Sequence, residues 1–158
     1  MGVRLTIELE NLVKASCNRD EFLSALQLVS GVVPLRSPKP ILMNVKLEAT
    51  TGGATLSATD LEVAMRCQVS GMDVSEAGDV ILPTGRVLSI LRESTDPVIE
   101  LEHADGKTTI KGQRSRYQLP SEDPKEFPAV PEFTGEKYHT LPSTVLRTMI
   151  RRTVFATD

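Results

Sequence analysis

A chain of 158 residues with 40% apolar side chains can build one domain and part of another, but with 4% aromatics and no Trp its core must be aliphatic. Cys17 and Cys67 stand far apart with no Cys or His cluster around them, which excludes a disulfide framework and a zinc site. The formal charge of −3 excludes a uniformly basic nucleic-acid binder, and no apolar run reaches the length of a membrane span.

Residues 1–12 lack the basic start and continuous apolar stretch of a signal peptide and read as a short leader, so a cytoplasmic protein is expected. Asn18 and Glu21 have the spacing of a capping box, and Phe22, Leu23, Leu26 and Val29 then form the apolar stripe of a helix that Gly31 and Pro34 end. Ile41, Met43, Val45 and Leu47 alternate with polar residues as in a half-buried strand. Thr51-Gly52-Gly53 has hairpin chemistry and leads to a strand over Ala54 to Ala58. Leu61, Val63, Met65, Cys67 and Val69 repeat the alternation and predict another half-buried strand.

Pro83-Thr84 opens a second helix carrying Val87, Leu88, Ile90 and Leu91, because proline is tolerated where a first-turn amide has no partner. Ile99 and Leu101 belong to a strand, and Asp105-Gly106 turns the chain into the next one, Thr108 to Lys111. The stretch from Pro120 to Glu136, with four prolines and a glycine among acids, can be neither a central strand nor a helix interior and reads as a connection between units. The first domain is placed at 13–130, the linker proper at 131–136, and an incomplete second domain at 137–158. Within the latter, Lys137 to Leu141 is expected to be a strand and Pro142-Ser143 to open a third helix with Val145, Leu146, Met149 and Ile150.

The second and third helices repeat one another without a gap from Leu82 to Arg92 and from Leu141 to Arg151, and the first helix echoes the same phrase at Phe22 to Gln27. A unit of strand, helix and strand meander is therefore used twice and begun again. The fold class that follows is α+β, with antiparallel sheets.

No nucleophile stands beside a base, no glycine loop is built to cradle phosphate, and no metal cluster is spaced in the sequence, so neither enzyme chemistry nor a cofactor is expected. His103 and His139 are expected to be structural or exposed on a solvent face. Asp60 and Glu62 form an acidic pair on which a metal-dependent hydrolase or nuclease would have to rest, but same-face strand carboxylates are common on solvated surfaces. Basic charge is local instead. Residues 1–142 hold 15 Lys+Arg and 20 Asp+Glu, whereas 143–157 hold Arg147, Arg151 and Arg152 and no acid. Arg147 and Arg151 share a helix face, and the second helix offers Arg86 and Arg92 around the equivalent face, as a wall facing phosphates requires. The plainer alternative is a solvated surface on a protein-interaction module without DNA contact.

Val33-Pro34-Leu35-Arg36-Ser37-Pro38-Lys39-Pro40-Ile41-Leu42-Met43-Asn44-Val45 resembles the loop and strand after the first helix of bacterial DNA polymerase III beta subunits, the sliding clamps. Leu56 to Met65, Val80 to Pro83, Arg114 to Leu119 and Glu126 to Pro128 extend the resemblance in order, so that it covers residues 13 to about 158. It implies the DNA-clamp fold, a duplicated β-α-β-β-β unit with two helices packed on antiparallel sheets, in a head-to-tail ring of two chains that encircles duplex DNA and tethers the replicative polymerase. By position in the family pattern it assigns DNA contact to Arg36, Arg86, Arg92 and Arg147, which Arg151 joins from the same helix face, and a dimer interface to Arg114, Arg116 and Leu119. Gly85 departs from the pattern, which often has a basic residue there. The implied partners are duplex DNA of any sequence, a second clamp chain, and the polymerase and clamp loader through domains that the sequence does not contain.

Overall fold

The structure, a computed structural model, describes residues 12–131 and 134–157; the leader therefore lies outside the described residues except for Leu12, as do two linker positions. Nine strands and three α-helices are described: β1 (Val13–Asn18), α1 (Arg19–Ser30), β2 (Asn44–Thr50), β3 (Gly53–Thr59), β4 (Ala64–Val69), β5 (Asp73–Glu76), β6 (Gly78–Pro83), α2 (Thr84–Glu93), β7 (Val98–Ala104), β8 (Lys107–Lys111), β9 (Arg116–Pro120) and α3 (Ser143–Thr153). They start where local chemistry places them. The Asn18 carboxamide oxygen accepts the amides of Asp20 and Glu21 and so satisfies two of the four orphan donors of α1. Asp105 and Gly106 both have positive φ, 52° and 68°, the backbone that a two-residue hairpin between β7 and β8 requires.

Every pairing is antiparallel, in two sheets ordered β5-β1-β7-β8-β9 and β4-β3-β2-β6. The two units, β1-α1-β2-β3-β4 and β6-α2-β7-β8-β9, exchange their first strands: β1 pairs with β7 of the second unit, and β6 with β2 of the first. This exchange makes the duplication seen in the sequence into one inseparable domain. α1 packs on β3, β4 and α2, and α2 on β2 and β6. Phe22, Leu26, Val87 and Leu91 are fully buried in a core shared with both sheets. Val80, Ile81 and Leu82 are all buried because the outer face of β6 is covered too: Ile81 packs with Ile41, Leu42 and Phe127 in a second, smaller cluster.

Four local readings are corrected. Pro40–Met43 forms a 3-10 turn that buries Ile41 and Leu42 together, so β2 begins only at Asn44; proline at the turn's start supplies the φ and removes a ladder donor. The strand expected from Leu61 starts at Ala64. Thr59 and Asp60 capture the preceding backbone: Thr59 Oγ1 accepts the amide of Leu61 and donates to the Val63 carbonyl, while Asp60 Oδ1 accepts the amides of Glu62 and Val63. Leu61 is thereby held at φ 82°, and it and Val63 are more than half exposed. The segment after Pro120 is not a free connection, since Ser121 donates to the Ile81 carbonyl and Phe127 is buried against β6. Lys137 to Leu141 forms no strand among the described residues. The first strands of both complete units pair with meander strands of another unit, and no described meander pairs with 137–141.

The reading of His103 is corrected too. This residue is 5% exposed, not on a solvent face, with Nδ1 3.0 Å from Thr108 Oγ1, and desolvation holds its pKa below the ordinary histidine value. Because the folded pKa is the lower one, acidification through about pH 6.5 protonates the unfolded chain first and draws stability away. Urea midpoints at pH 7.5 and 5.5 should therefore fall further for the parent than for His103→Gln; equal falls would show that this side chain is not the titrating group.

Candidate nucleic-acid interface

On the sheets, several cations are matched by acids. Lys46 bridges Glu48 at 3.2 Å and Asp79 at 2.9 Å, Arg66 lies 3.4 Å from Glu48, and Lys14 and Lys111 both pair with Glu102. Burial works to lower the Lys46 pKa, yet the hydrogen bonds and charges of Asp79 and Glu48 together outweigh that effect and hold it above the usual lysine value. Glu102 is held below the usual carboxylate range, first by its hydrogen bond from Lys111.

The arginines singled out from the sequence are different. Arg36, Arg86, Arg92, Arg147 and Arg151 are exposed, and none forms an ion pair among the described residues. Arg36 stands in the α1–β2 loop beside Leu35 and near Lys39, which is also exposed. Sequence reasoning missed Lys39, although a signal for it exists: residues 22–47 contain no acid. Arg92 is at the end of α2, where a cation also suits the helix dipole.

Arg86 and Arg92 do not share a face. Six positions in an α-helix turn through about 240°, leaving them roughly 120° apart. Arg86 lines a cavity of about 370 Å³ with Asn44, Ile81, Pro83, Pro120, Ser121 and Glu122, and so points toward the end of β9. Arg147 and Arg151 are one turn apart on α3, a helix with no buried residue, whose apolar stripe of Val145, Leu146, Met149 and Ile150 is about half exposed.

Among the described residues, β9 is a sheet edge, paired only with β8. Arg116 presents an exposed side chain there, and Arg114 lies in the four-residue turn between β8 and β9 instead of on the strand. Leu119 is 6% exposed and belongs to the core, so at this edge it offers only its backbone. Tyr117, at 37% exposure, is the large side chain that the edge presents and that sequence reasoning passed over.

Asp60 is already engaged by backbone amides, first that of Val63 and then that of Glu62, which hold its carboxyl below the usual range. No group of three or more metal-donor side chains gathers among the described residues. The thiol of Cys17 is pushed up to about 12 by burial, so it has no nucleophilic character at neutral pH. No described helix is long and apolar enough to cross a membrane.

Residues 13–131 match the family described as DNA polymerase III beta subunit, N-terminal domain. The chain belongs to this family. It is 34% identical over 146 residues to the beta sliding clamp of Chlamydia trachomatis, covering 92% of this chain and 35% of that one, and 34% identical over 139 residues to that of Pseudomonas aeruginosa, covering 87% and 38%. Among solved structures, the DNA polymerase III subunit beta of Pseudomonas aeruginosa superposes with a TM-score of 0.84 at 32% identity, over 92% of this chain and 40% of that chain. The beta chain of Streptococcus pneumoniae shares the fold with a TM-score of 0.85 at 20% identity. The chain thus spans between 35% and 39% of the length of the first clamp relatives it matches. The family's fold agrees with the strand exchange and helix pair seen here.

Proposed function

We propose that this chain supplies the first domain, and the first helix of the next, of a ring that encircles duplex DNA and tethers the replicative polymerase as a non-catalytic processivity factor in the cytoplasm. The observation that carries this reading is the family match over the whole folded domain, 13–131. The electrostatics support it: acids pair with Lys14, Lys46, Arg66 and Lys111 on the sheets, while Arg36, Arg86, Arg92, Arg147 and Arg151 form no ion pair among the described residues. A ring so built is acidic outside and basic within, which reconciles a net charge of −3 with DNA contact. Arg36, Arg92, Arg147 and Arg151 are the proposed phosphate contacts, with Lys39 beside them. Arg86 is proposed on the DNA side only at its margin, because it turns toward β9. The β9 edge, through Arg114, Arg116 and Tyr117, is proposed as the surface that meets a second clamp chain head to tail. Polymerase and clamp loader would bind elsewhere in the complete ring.

The 158-residue chain cannot by itself close around DNA, so its contacts act without topological retention. It should bind a duplex weakly at low salt and release it steeply as salt rises, with a log-log slope of about −0.9 per phosphate neutralised. Fluorescence anisotropy on two unrelated duplexes measures this. Binding that survives raised salt, or that depends on base sequence, would contradict the reading.

A further inference from the structure

The turn that carries Arg114 is held from outside the hairpin. Asp96, in the connection between α2 and β7, accepts the amide of Gln113 at 3.0 Å and faces the hydroxyl of Ser115 at 3.3 Å through the same oxygen, Oδ2. The turn also closes on itself, with the Gly112 amide donating to the Ser115 carbonyl at 2.9 Å. The seat is so close that a Cβ added at Gly112 would collide with Asp96 Oδ2 and lie 2.7 Å from Ser115 Oγ. Asp96 is itself fixed: its amide donates to Ser94 Oγ at 3.2 Å, and the carbonyl of the next residue, Pro97, accepts the amide of Arg19 at the start of α1 at 2.9 Å.

A carboxylate that spends its oxygen on a neighbouring turn, in contact with a glycine that leaves it room, fixes where that turn points. The turn's outward residues are Gln113 and Arg114, both exposed, and Arg116 follows at the start of the edge strand. Neither arginine forms an ion pair among the described residues, so no charge partner within the domain orients them. We propose that Asp96, with Gly112 as its seat, is the positioning residue of the β9 edge, presetting the turn that aims Arg114 and Arg116 at an acidic surface of the partner chain. The inference rests on the assignment of β9 as the partner-facing edge. Presetting lowers the ordering cost that association would otherwise carry. Loss of hydrogen bonds to a charged acceptor corresponds to about tenfold in an equilibrium constant.

The test is subunit association of the protein in its full clamp-length form, followed by sedimentation equilibrium, with the urea midpoint measured alongside. Asp96→Ala should weaken association about tenfold, and Asp96→Asn, which keeps an acceptor oxygen, should restore most of it. Gly112→Ala should weaken association in the parent and add little in the Asp96→Ala background, because the carboxylate it strikes is gone and the Ser115 hydroxyl, freed of Asp96, can rotate away. Amide exchange at Gln113 and Ser115 should accelerate in Asp96→Ala and return in Asp96→Asn. Arg116→Glu tests the underlying assignment separately. If Arg116→Glu weakens association while Asp96→Ala changes only the urea midpoint, the positioning role is overturned and the edge assignment stands. If Arg116→Glu leaves association unchanged, the edge assignment fails and the inference with it.

Discussion

Replacing Leu26 with Ala is expected to destabilise the domain by about 2 to 5 kcal/mol. Leu26 is fully buried on α1, in the cluster that holds Phe22 on the same helix, Val87 and Leu91 on α2, and residues of both sheets. Truncation removes apolar contact and leaves a cavity that strands fixed in two antiparallel ladders cannot collapse to fill. Because each unit lends its first strand to the other, the loss should unfold both units in one transition instead of fraying one of them. Urea denaturation followed by circular dichroism measures the cost. A change below about 0.5 kcal/mol, the usual range for surface substitutions, would mean that the helix pair does not pack through this face.

What the sequence disclosed and what it hid divide along a physical line. Signals that act within a few residues were legible: the Asn18 cap, the proline entries at Pro83 and Pro142, the Asp105-Gly106 turn, and the helical stripes that meet in the core. The unit's repetition also disclosed the antiparallel class. Features set by distant partners were hidden. Leu61 and Val63 alternate as a strand does, but side chains of Thr59 and Asp60 divert their backbone. His103 shares the strand face of Ile99 and Leu101, so its burial follows from the alternation, but the Thr108 hydroxyl that meets it across the hairpin does not. The residues after Pro120 have a linker's composition, yet Phe127 docks on β6 through Ile81.

For the candidate site, residue type and exposure were legible but direction was not. Arg36, Arg92, Arg147 and Arg151 are exposed as expected. Arg86 diverges from Arg92 because six residues do not bring a helix back to the same face. Leu119 reads as an edge residue by its place in the resemblance, whereas its side chain is buried in the core; Tyr117, two positions earlier on the same strand face and opposite Ile110, stays 37% exposed.

Changing Arg36, Arg92 and Arg147 together to Glu, in the protein of full clamp length, tests the central claim most directly. The three side chains come from a loop and two helices, are exposed, and have no ion-pair partner among the described residues, so each can give a phosphate charge-assisted hydrogen bonds. Their removal should leave folding nearly unchanged, since exposed charges of this kind contribute at most about 1 kcal/mol. The measurement is equilibrium binding to two duplexes of unrelated sequence across a salt series. Affinity should fall equally on both, and the log-log salt dependence should become shallower by roughly one unit for each phosphate that is no longer neutralised. A triple variant that binds both duplexes as the parent does, or whose defect follows the base sequence, would contradict a phosphate-facing wall and make these arginines a solvated surface.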